Sequence, residues 1–278
     1  MAGHRRSRPT PLRSAGIVLT WVIVLSSLLP LLWLLSTSLK TASDAFASPP
    51  LFIFTPTFEN FTAVLGGGDF LAAYKNSIIV VIATTALSLL FGITAGYTLA
   101  RTTGKVTRTM GTWIILVRMA PAMGFALPFF LMFRFFGLLD SYLALVLVYM
   151  TITLPFVTWI MSGYFRSIPV ELEEAARMDG CTRVQALFRV IVPSSWPGIA
   201  TCAIFSFIMS WNEFFYPLVL AGRNTSTAPV ALQGFISSTG VNWGQLSAAS
   251  ILVVLPVLVF TIFTQKGLVR GLTAGAIK

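Results

Sequence analysis

Four carboxylates, Glu171, Glu173, Glu174 and Asp179, crowd into the eleven residues VELEEAARMDG (170–180), in a chain where only 10% of residues are charged. Nothing around them equips them as catalysts. The one histidine, His4, lies in a basic tail, so no nucleophile-and-base arrangement is on offer. Cys181 and Cys202 form no ligand pattern with it, which argues against a His/Cys metal site. No G-x-x-x-x-G-K-[ST] phosphate loop occurs, so the chain does not supply that kind of ATPase site. The chemistry left to these acids is helix initiation and contact with a partner.

The flanking residues say how the acids are held. Pro169 stands where a first helical residue would, its missing N–H harmless there. Glu171, Glu173 and Glu174 fall in or near the first turn, where carboxylates favour the helix dipole. Glu173 and Arg177 form an i,i+4 pair in the favourable order. Gly180 supplies a left-handed stop. A second helix follows at once, because Thr182 can cap it and Gln185 completes a capping box. Val184, Leu187 and Phe188 form its apolar stripe, and Pro193 and Pro197 end it. The bland alternative is a solvated charged loop. Ala175 and Ala176, which leave a small flat face, favour a docking element instead.

The surroundings are greasy. Of the 278 residues 56% are hydrophobic, and the mean hydropathy is +0.84. Soluble domains carry roughly 25% charged residues. Apolar runs of about 20 residues, enough to cross a hydrocarbon core, recur. They lack strand-like alternation, so the expected fold is all-α: a polytopic membrane protein with six transmembrane helices at about 15–37, 76–100, 113–136, 142–164, 198–221 and 248–266. A basic tail (1–14) precedes a single membrane domain (15–278), and a helix–turn–helix loop (165–197) separates spans four and five.

The net charge of +10 could suggest nucleic acid, but its distribution fits membrane orientation better. With the N-terminus inside, fourteen Lys and Arg fall on the cytoplasmic side, and only Lys40, Lys75 and Arg223 lie outside. Both termini and the 165–197 loop are then cytoplasmic. A cleaved signal peptide ending at AFA (45–47) fits poorly, since the first apolar run is too long and ends too early. Two outer loops are long. In residues 38–75, Phe58, Phe61, Val64 and Leu65 recur at helical spacing, which fits either a short interfacial helix or an irregular loop. Residues 222–247 are polar and without clear structure, a type of loop that is often functional.

At EAARMDGCTRVQALFRVIVP the chain resembles the signature cytoplasmic loop of binding-protein-dependent ABC importer permeases: Glu-Ala-Ala, three residues, Gly, nine residues, Ile, one residue, Leu-Pro. Glu174, Ala175, Ala176, Gly180 and Pro193 match in register, with Val190 and Val192 as conservative departures. PTFENF, NSIIVVIATTALSL, SWNEFFYPLVL and GLTAGAIK extend the resemblance to the carbohydrate-importer branch, nearest to the smaller permease of maltose-like systems. The resemblance implies a second homologous permease, two ATP-binding cassette ATPase subunits that hold the ATP and magnesium, an extracytoplasmic solute-binding protein and a carbohydrate substrate. No cofactor is implied in this chain. The location implied is a prokaryotic plasma membrane. Glu173, Glu174, Ala175, Ala176, Asp179, Gly180 and Pro193 would couple to the ATPase, with Glu174 contacting one of its basic residues. The 222–247 loop would reach toward the binding protein, and the C-terminal tail toward the ATPases.

Ionisable groups inside spans are costly and are functional candidates by default. Arg118, a turn and a half into span three, either snorkels to the cytoplasmic interface or acts within the membrane. Arg134 stands close to Asp140, a local pair on the bland reading. Asn212 and Glu213 lie in the outer half of span five. Glu213 needs a partner such as Arg134, and serves either as a polar gate of the outer cavity or in a structural ion pair. Pro121, Pro128, Pro155, Pro217 and Pro256 interrupt spans. Phe129, Phe130, Tyr149, Trp159, Trp211 and Tyr216 either stack on sugar or pack within the protein. The competing function is a stand-alone secondary transporter with an ion-coupled site around Glu213, which would need a repeat and broken helix pairs.

Overall fold

The computed structural model describes residues 11–237 and 240–274. The chain runs through α1 (Pro11–Ser38), α2 (Ala42–Ala45), α3 (Glu59–Gly66), α4 (Asp69–Arg101), α5 (Lys105–Met119), α6 (Ala122–Phe135) and α7 (Tyr142–Ser167). It continues with α8 (Val170–Met178), α9 (Arg183–Ala186), a π turn (Leu187–Ile191), α10 (Val192–Ser194), α11 (Trp196–Trp211) and α12 (Phe215–Leu220). After α13 (Ala228–Ala231) come a 3-10 turn (Leu232–Phe235), a hairpin of β1 (Ile236–Ser237) and β2 (Gly240–Val241), and α14 (Trp243–Ala274). The fold is all-helical apart from that hairpin. The 222–247 segment, read as a loop from its polarity, thus contains ordered elements.

Four helices, α1, α4, α7 and α14, are long and apolar enough to cross a membrane. Two further spans exist only if bent pairs count as one each: α5 with α6 at 98°, and Arg183–Ser194 with α11 at 80°. The third span, expected at 113–136 with Pro121 and Pro128 interrupting it, is broken at Pro121 and runs on through Pro128. Pro121 lacks an N–H and crowds the preceding turn, so Ala120 takes an extended conformation and α5 stops. Span five breaks as well, at residues 212–214, between α11 and α12. Pro128, Pro155 and Pro256 stay inside continuous helices.

The chain forms two compact units, Met1–Gly66 with Phe235–Leu252, and Gly67–Gly234 with Val253–Lys278. In the first, α3 settles the choice left open for residues 58–65, with Val64 as its buried contact. Asn60 Nδ2 donates to the carbonyls of Ser38 and Lys40 at 3.0 and 2.8 Å. Lys40 is buried with its ammonium over the rings of Trp33 and Phe54, a cation–π arrangement that eases its desolvation.

The second unit is organised by α4 against α7. Ser88, Gly92 and Gly96 recur every fourth residue along one face of α4 and are all buried. A Cβ at Gly92 would stand 2.5 Å from Val157 Cγ1, and one at Gly96 would stand 3.0 Å from the carbonyl oxygen of Thr158. Small residues let the two backbones close up, the usual solution where lipid removes any hydrophobic drive between helices. Ser88 and Thr153 share a 2.6 Å hydrogen bond along the same seam. Val157, Met161 and Phe165 of α7 continue it into a core with Leu187, Ile191, Ile199 and Cys202.

Candidate functional site

The two adjacent glutamates of α8 point in different directions. Successive helical residues are about 100° apart, so neighbours rarely share a face. Glu173 turns inward and is 7% exposed. Its Oε2 accepts from Arg101 Nε at 3.1 Å, and its Oε1 accepts from the Tyr97 hydroxyl. Arg101 Nη2 also donates to the Ile168 carbonyl at 3.1 Å, and Arg166 Nη2 to that of Leu99 at 3.4 Å. These bonds tie α8 to the C-terminal ends of α4 and α7. The expected pairing of Glu173 with Arg177 is therefore corrected: a partner from another helix wins over the neighbour one turn on, which remains in solvent. Glu174 and Ala175 are exposed, whereas Ala176 is buried, so the small outward face consists of Ala175 alone.

The two-helix form of the segment follows from its capping residues. Pro169 is the N-cap, one residue before the expected place. Gly180 adopts φ 89°, Cys181 N–H donates to the Ala176 carbonyl, and Gly180 N–H to that of Arg177. This is the full Schellman stop, which a left-handed glycine makes cheap. Thr182 and Gln185 exchange both bonds of the capping box. Pro193 does not end the second helix. The π turn at Leu187–Ile191 widens the coil just before it, and the chain bends only after Ser194. Leu187 is buried, leaving Val184 and Phe188 exposed, along with Leu172 and Met178 of α8. Asp179 and Pro193 are also exposed.

A second polar assembly sits roughly 37 Å away, near the other end of α4. Asp140, at φ 54°, receives five hydrogen bonds from the 222–225 segment. The donors are the backbone N–H groups of Gly222, Asn224 and Thr225, the Asn224 amide and the Thr225 hydroxyl, at 2.7–3.2 Å. Asn76 Nδ2 donates to the carbonyls of Asn224 and Ser226, and its Oδ1 accepts from the Tyr142 hydroxyl. Sequence reasoning gave Asp140 to Arg134. The structure gives it to the backbone instead, and Arg134 is exposed. The missed signal is GRNTST, whose small and amide residues suit a carboxylate clasp.

Burial opposes the charge of Asp140, but the bonds from Thr225, Gly222 and Asn224 outweigh it and hold the carboxyl below its usual range. A depressed carboxylate stabilises the fold fully above its unfolded value near ~3.9, and the gain is lost as pH falls through the folded value. Asp140→Ala should therefore destabilise the purified protein by about 1–3 kcal/mol at neutral pH, the lower end being favoured by partial exposure. Thermal unfolding of both proteins across pH checks this: the difference should shrink once acid protonates Asp140 in the wild type.

Glu213 has partners that neither earlier reading named. Its Oε1 accepts from the backbone N–H groups of Phe215 and Tyr216 at 3.0 and 3.1 Å, capping α12 after the break. Asn212 Nδ2 folds back to the Ile208 carbonyl. Arg134 is not brought to them; among the described residues the one ion pair found is Arg101 with Glu173. No cluster of three or more His, Cys, Asp or Glu that could hold a metal occurs among the described residues.

The backbone matches a chain of the bacterial ABC transporter that imports the acidic polysaccharide alginate. The TM-score is 0.80 at 25% identity, over 96% of this chain and 99% of that one. A chain of the alginate transporter in complex with its pentasaccharide-bound periplasmic protein shares the fold at TM-score 0.64 and 18% identity, over 90% and 94% of the two. Fold and surface loop together define a permease of the ABC-importer class. Residues 88–273 match the binding-protein-dependent transport system inner membrane component family, and the chain belongs to it. The trehalose transport system permease protein SugB of Mycobacterium tuberculosis is 37% identical over 264 residues, covering 94% of this chain and 96% of that one. The diacetylchitobiose uptake system permease protein DasC of Streptomyces coelicolor is 35% identical over 261 residues, covering 92% and 94%. This chain is thus a permease subunit, and ATP hydrolysis falls to separate subunits.

Proposed function

We propose that this chain is one of two homologous permeases of an ATP-driven sugar importer, with six spans and both termini in the cytoplasm. An extracytoplasmic binding protein delivers the sugar, and two ATPase subunits, which bind the ATP and magnesium, engage the 169–193 loop. The observation that carries this reading is the division of labour on α8: Glu173 is locked to α4, while Glu174 and Ala175 are exposed, as are the apolar Leu172, Met178, Val184 and Phe188 of the same two-helix segment. A segment that exposes both an acid and apolar side chains suits a partner with a basic residue in an apolar cleft. Trehalose and diacetylchitobiose, named for the two relatives, are the first sugars to test.

In this reading ATP binding shifts an equilibrium between inward- and outward-open forms. Motion imposed on α8 passes through Arg101 into α4, whose small-residue seam carries α7 with it. A secondary transporter built around Glu213 is disfavoured, because that carboxylate already caps α12.

Affinity purification of the expressed chain should recover a second permease and an ATPase. Isolation of a transport-competent homodimer alone would overturn the reading. Glu174→Lys should leave this assembly intact in the membrane but cut sugar uptake at least tenfold while ATP hydrolysis continues. Normal uptake by that variant would remove Glu174 from the coupling contact.

A further inference from the structure

The break between α5 and α6 opens onto a cavity of about 380 Å³, within the size range of small-molecule sites. Arg118, Ala122, Phe125, Phe129, Thr151 and Tyr216 are among its lining residues. Helix α5 begins at Lys105, so Arg118 lies thirteen residues, or roughly 20 Å, along it. The residues from 105 to 112 are largely polar and include Lys105 and Arg108, so Arg118 stands about a turn and a half past the apolar start of the span at residue 113. Its guanidinium stands 5.4 Å from the ring centre of Phe156 and meets no carboxylate within ion-pair distance among the described residues.

Two features of this cavity bear on what it could hold. Non-helical backbone within a span is tolerated only where it is buried in protein or lines an aqueous cavity, and Ala120, at the break, is on the lining. Broken helices also mark the substrate sites of other transporters. The lining itself pairs an aromatic wall with a few polar groups. Phe125, Phe129 and Tyr216 follow one another with centroid separations of 6.0 and 5.8 Å. The Thr151 hydroxyl donates to the Val148 carbonyl, which leaves its oxygen able to accept a bond from a ligand.

We infer that this cavity is a sugar-binding subsite on the translocation path contributed by this chain itself, taking one hydroxyl-rich pyranose ring. A pyranose has an apolar C–H face and a rim of hydroxyls. The aromatic wall matches the face. Arg118, whose five N–H donors can serve more than one hydroxyl, matches the rim together with Tyr216 and Thr151. This rests on the sugar-import reading and adds that the second permease does not supply the whole transmembrane site.

The test uses the complete complex in proteoliposomes with radiolabelled trehalose and diacetylchitobiose as probes. Failure of the wild type to take up either sugar, or any of a wider saccharide panel, would sink the import reading. If uptake occurs, Arg118→Gln and Phe125→Ala should each lower it about tenfold, while stimulation of the ATPase by loaded binding protein stays within twofold of normal. A direct readout comes from Ala122→Cys in a Cys181→Ser, Cys202→Ala background: transported sugar should slow maleimide labelling there several-fold, and leave labelling of a Thr103→Cys control unchanged. Unaltered uptake in both variants with no protection at 122 would overturn the subsite while leaving import intact. Loss of the second permease from Arg118→Gln complexes would overturn it in favour of a pairing role at the permease interface.

Discussion

Glu173→Ala should abolish most sugar uptake while the complex continues to hydrolyse ATP. Removing one partner of a nearly buried pair strands the other charge, a cost of about 3–5 kcal/mol. Here the stranded group is Arg101, which also holds the Ile168 carbonyl, so the whole attachment of α8 loosens. The helix itself should survive, because its stop at Gly180 and its start at Pro169 involve neither residue. The expected phenotype is therefore a docked ATPase pushing on a detached lever. Uptake and hydrolysis measured on the same proteoliposomes check it, with complex recovery as the control. The exchange Glu173→Arg with Arg101→Glu should restore part of the uptake that either single change removes. Full uptake by Glu173→Ala would mean that motion reaches the spans by another route.

The second large effect belongs to the α4–α7 seam. Gly96→Leu should prevent recovery of a folded permease. Overpacking a core costs about 1–3 kcal/mol where side chains can yield. At Gly96 the nearest atoms include the Thr158 carbonyl oxygen and the Ser162 nitrogen, at 3.0 and 3.1 Å from a Cβ, so backbone must move. At Gly92 the obstacle is the fully buried Val157 side chain, and Gly92→Ala should be milder than Gly96→Leu but still damaging. By contrast, Gly111→Leu on α5, where a Cβ meets nothing within 4 Å, should assemble normally. Gel filtration of detergent extracts gives the ranking, and equal recovery of the Gly96 and Gly111 variants would refute the seam as drawn.

Sequence reasoning reached what is local. The left-handed stop at Gly180 and the capping box of Thr182 and Gln185 are each set by residues within a turn of one another, whereas periodicity alone left α3 open between helix and loop. The family and its permease role were legible because the Glu-Ala-Ala spacing is itself a local pattern. What escaped was decided by distant partners. Glu173 had Arg177 four residues away and took Arg101, 72 positions back. Asp140 had Arg134 nearby and took residues 222–225. Glu213 is the exception: its partners are two and three residues on, freed by a break that Pro217 signals by removing the N–H that would have bonded the Glu213 carbonyl, but a search for a charged partner looked past the backbone. The Ser88, Gly92, Gly96 repeat was readable at any time as a close-packing face, but a search for charged groups passes over small residues. The C-terminal tail assigned to ATPase contact lies partly, at 275–278, outside the described residues, as does the basic tail at 1–10.

The opposed orientation of Glu173 and Glu174 has an evolutionary corollary. Two identical side chains, one peptide bond apart, answer to different selective histories. Position 173 is constrained by position 101 of the same gene, so across related permeases the two should change together, as acid with base or not at all. Under the proposed docking, position 174 is constrained by a residue encoded elsewhere, in the ATPase gene. Its substitutions should track that gene and be indifferent to position 101. A permease moved into a foreign importer should then tolerate its own residue 173 unchanged, and need compensation, if anywhere, at residue 174.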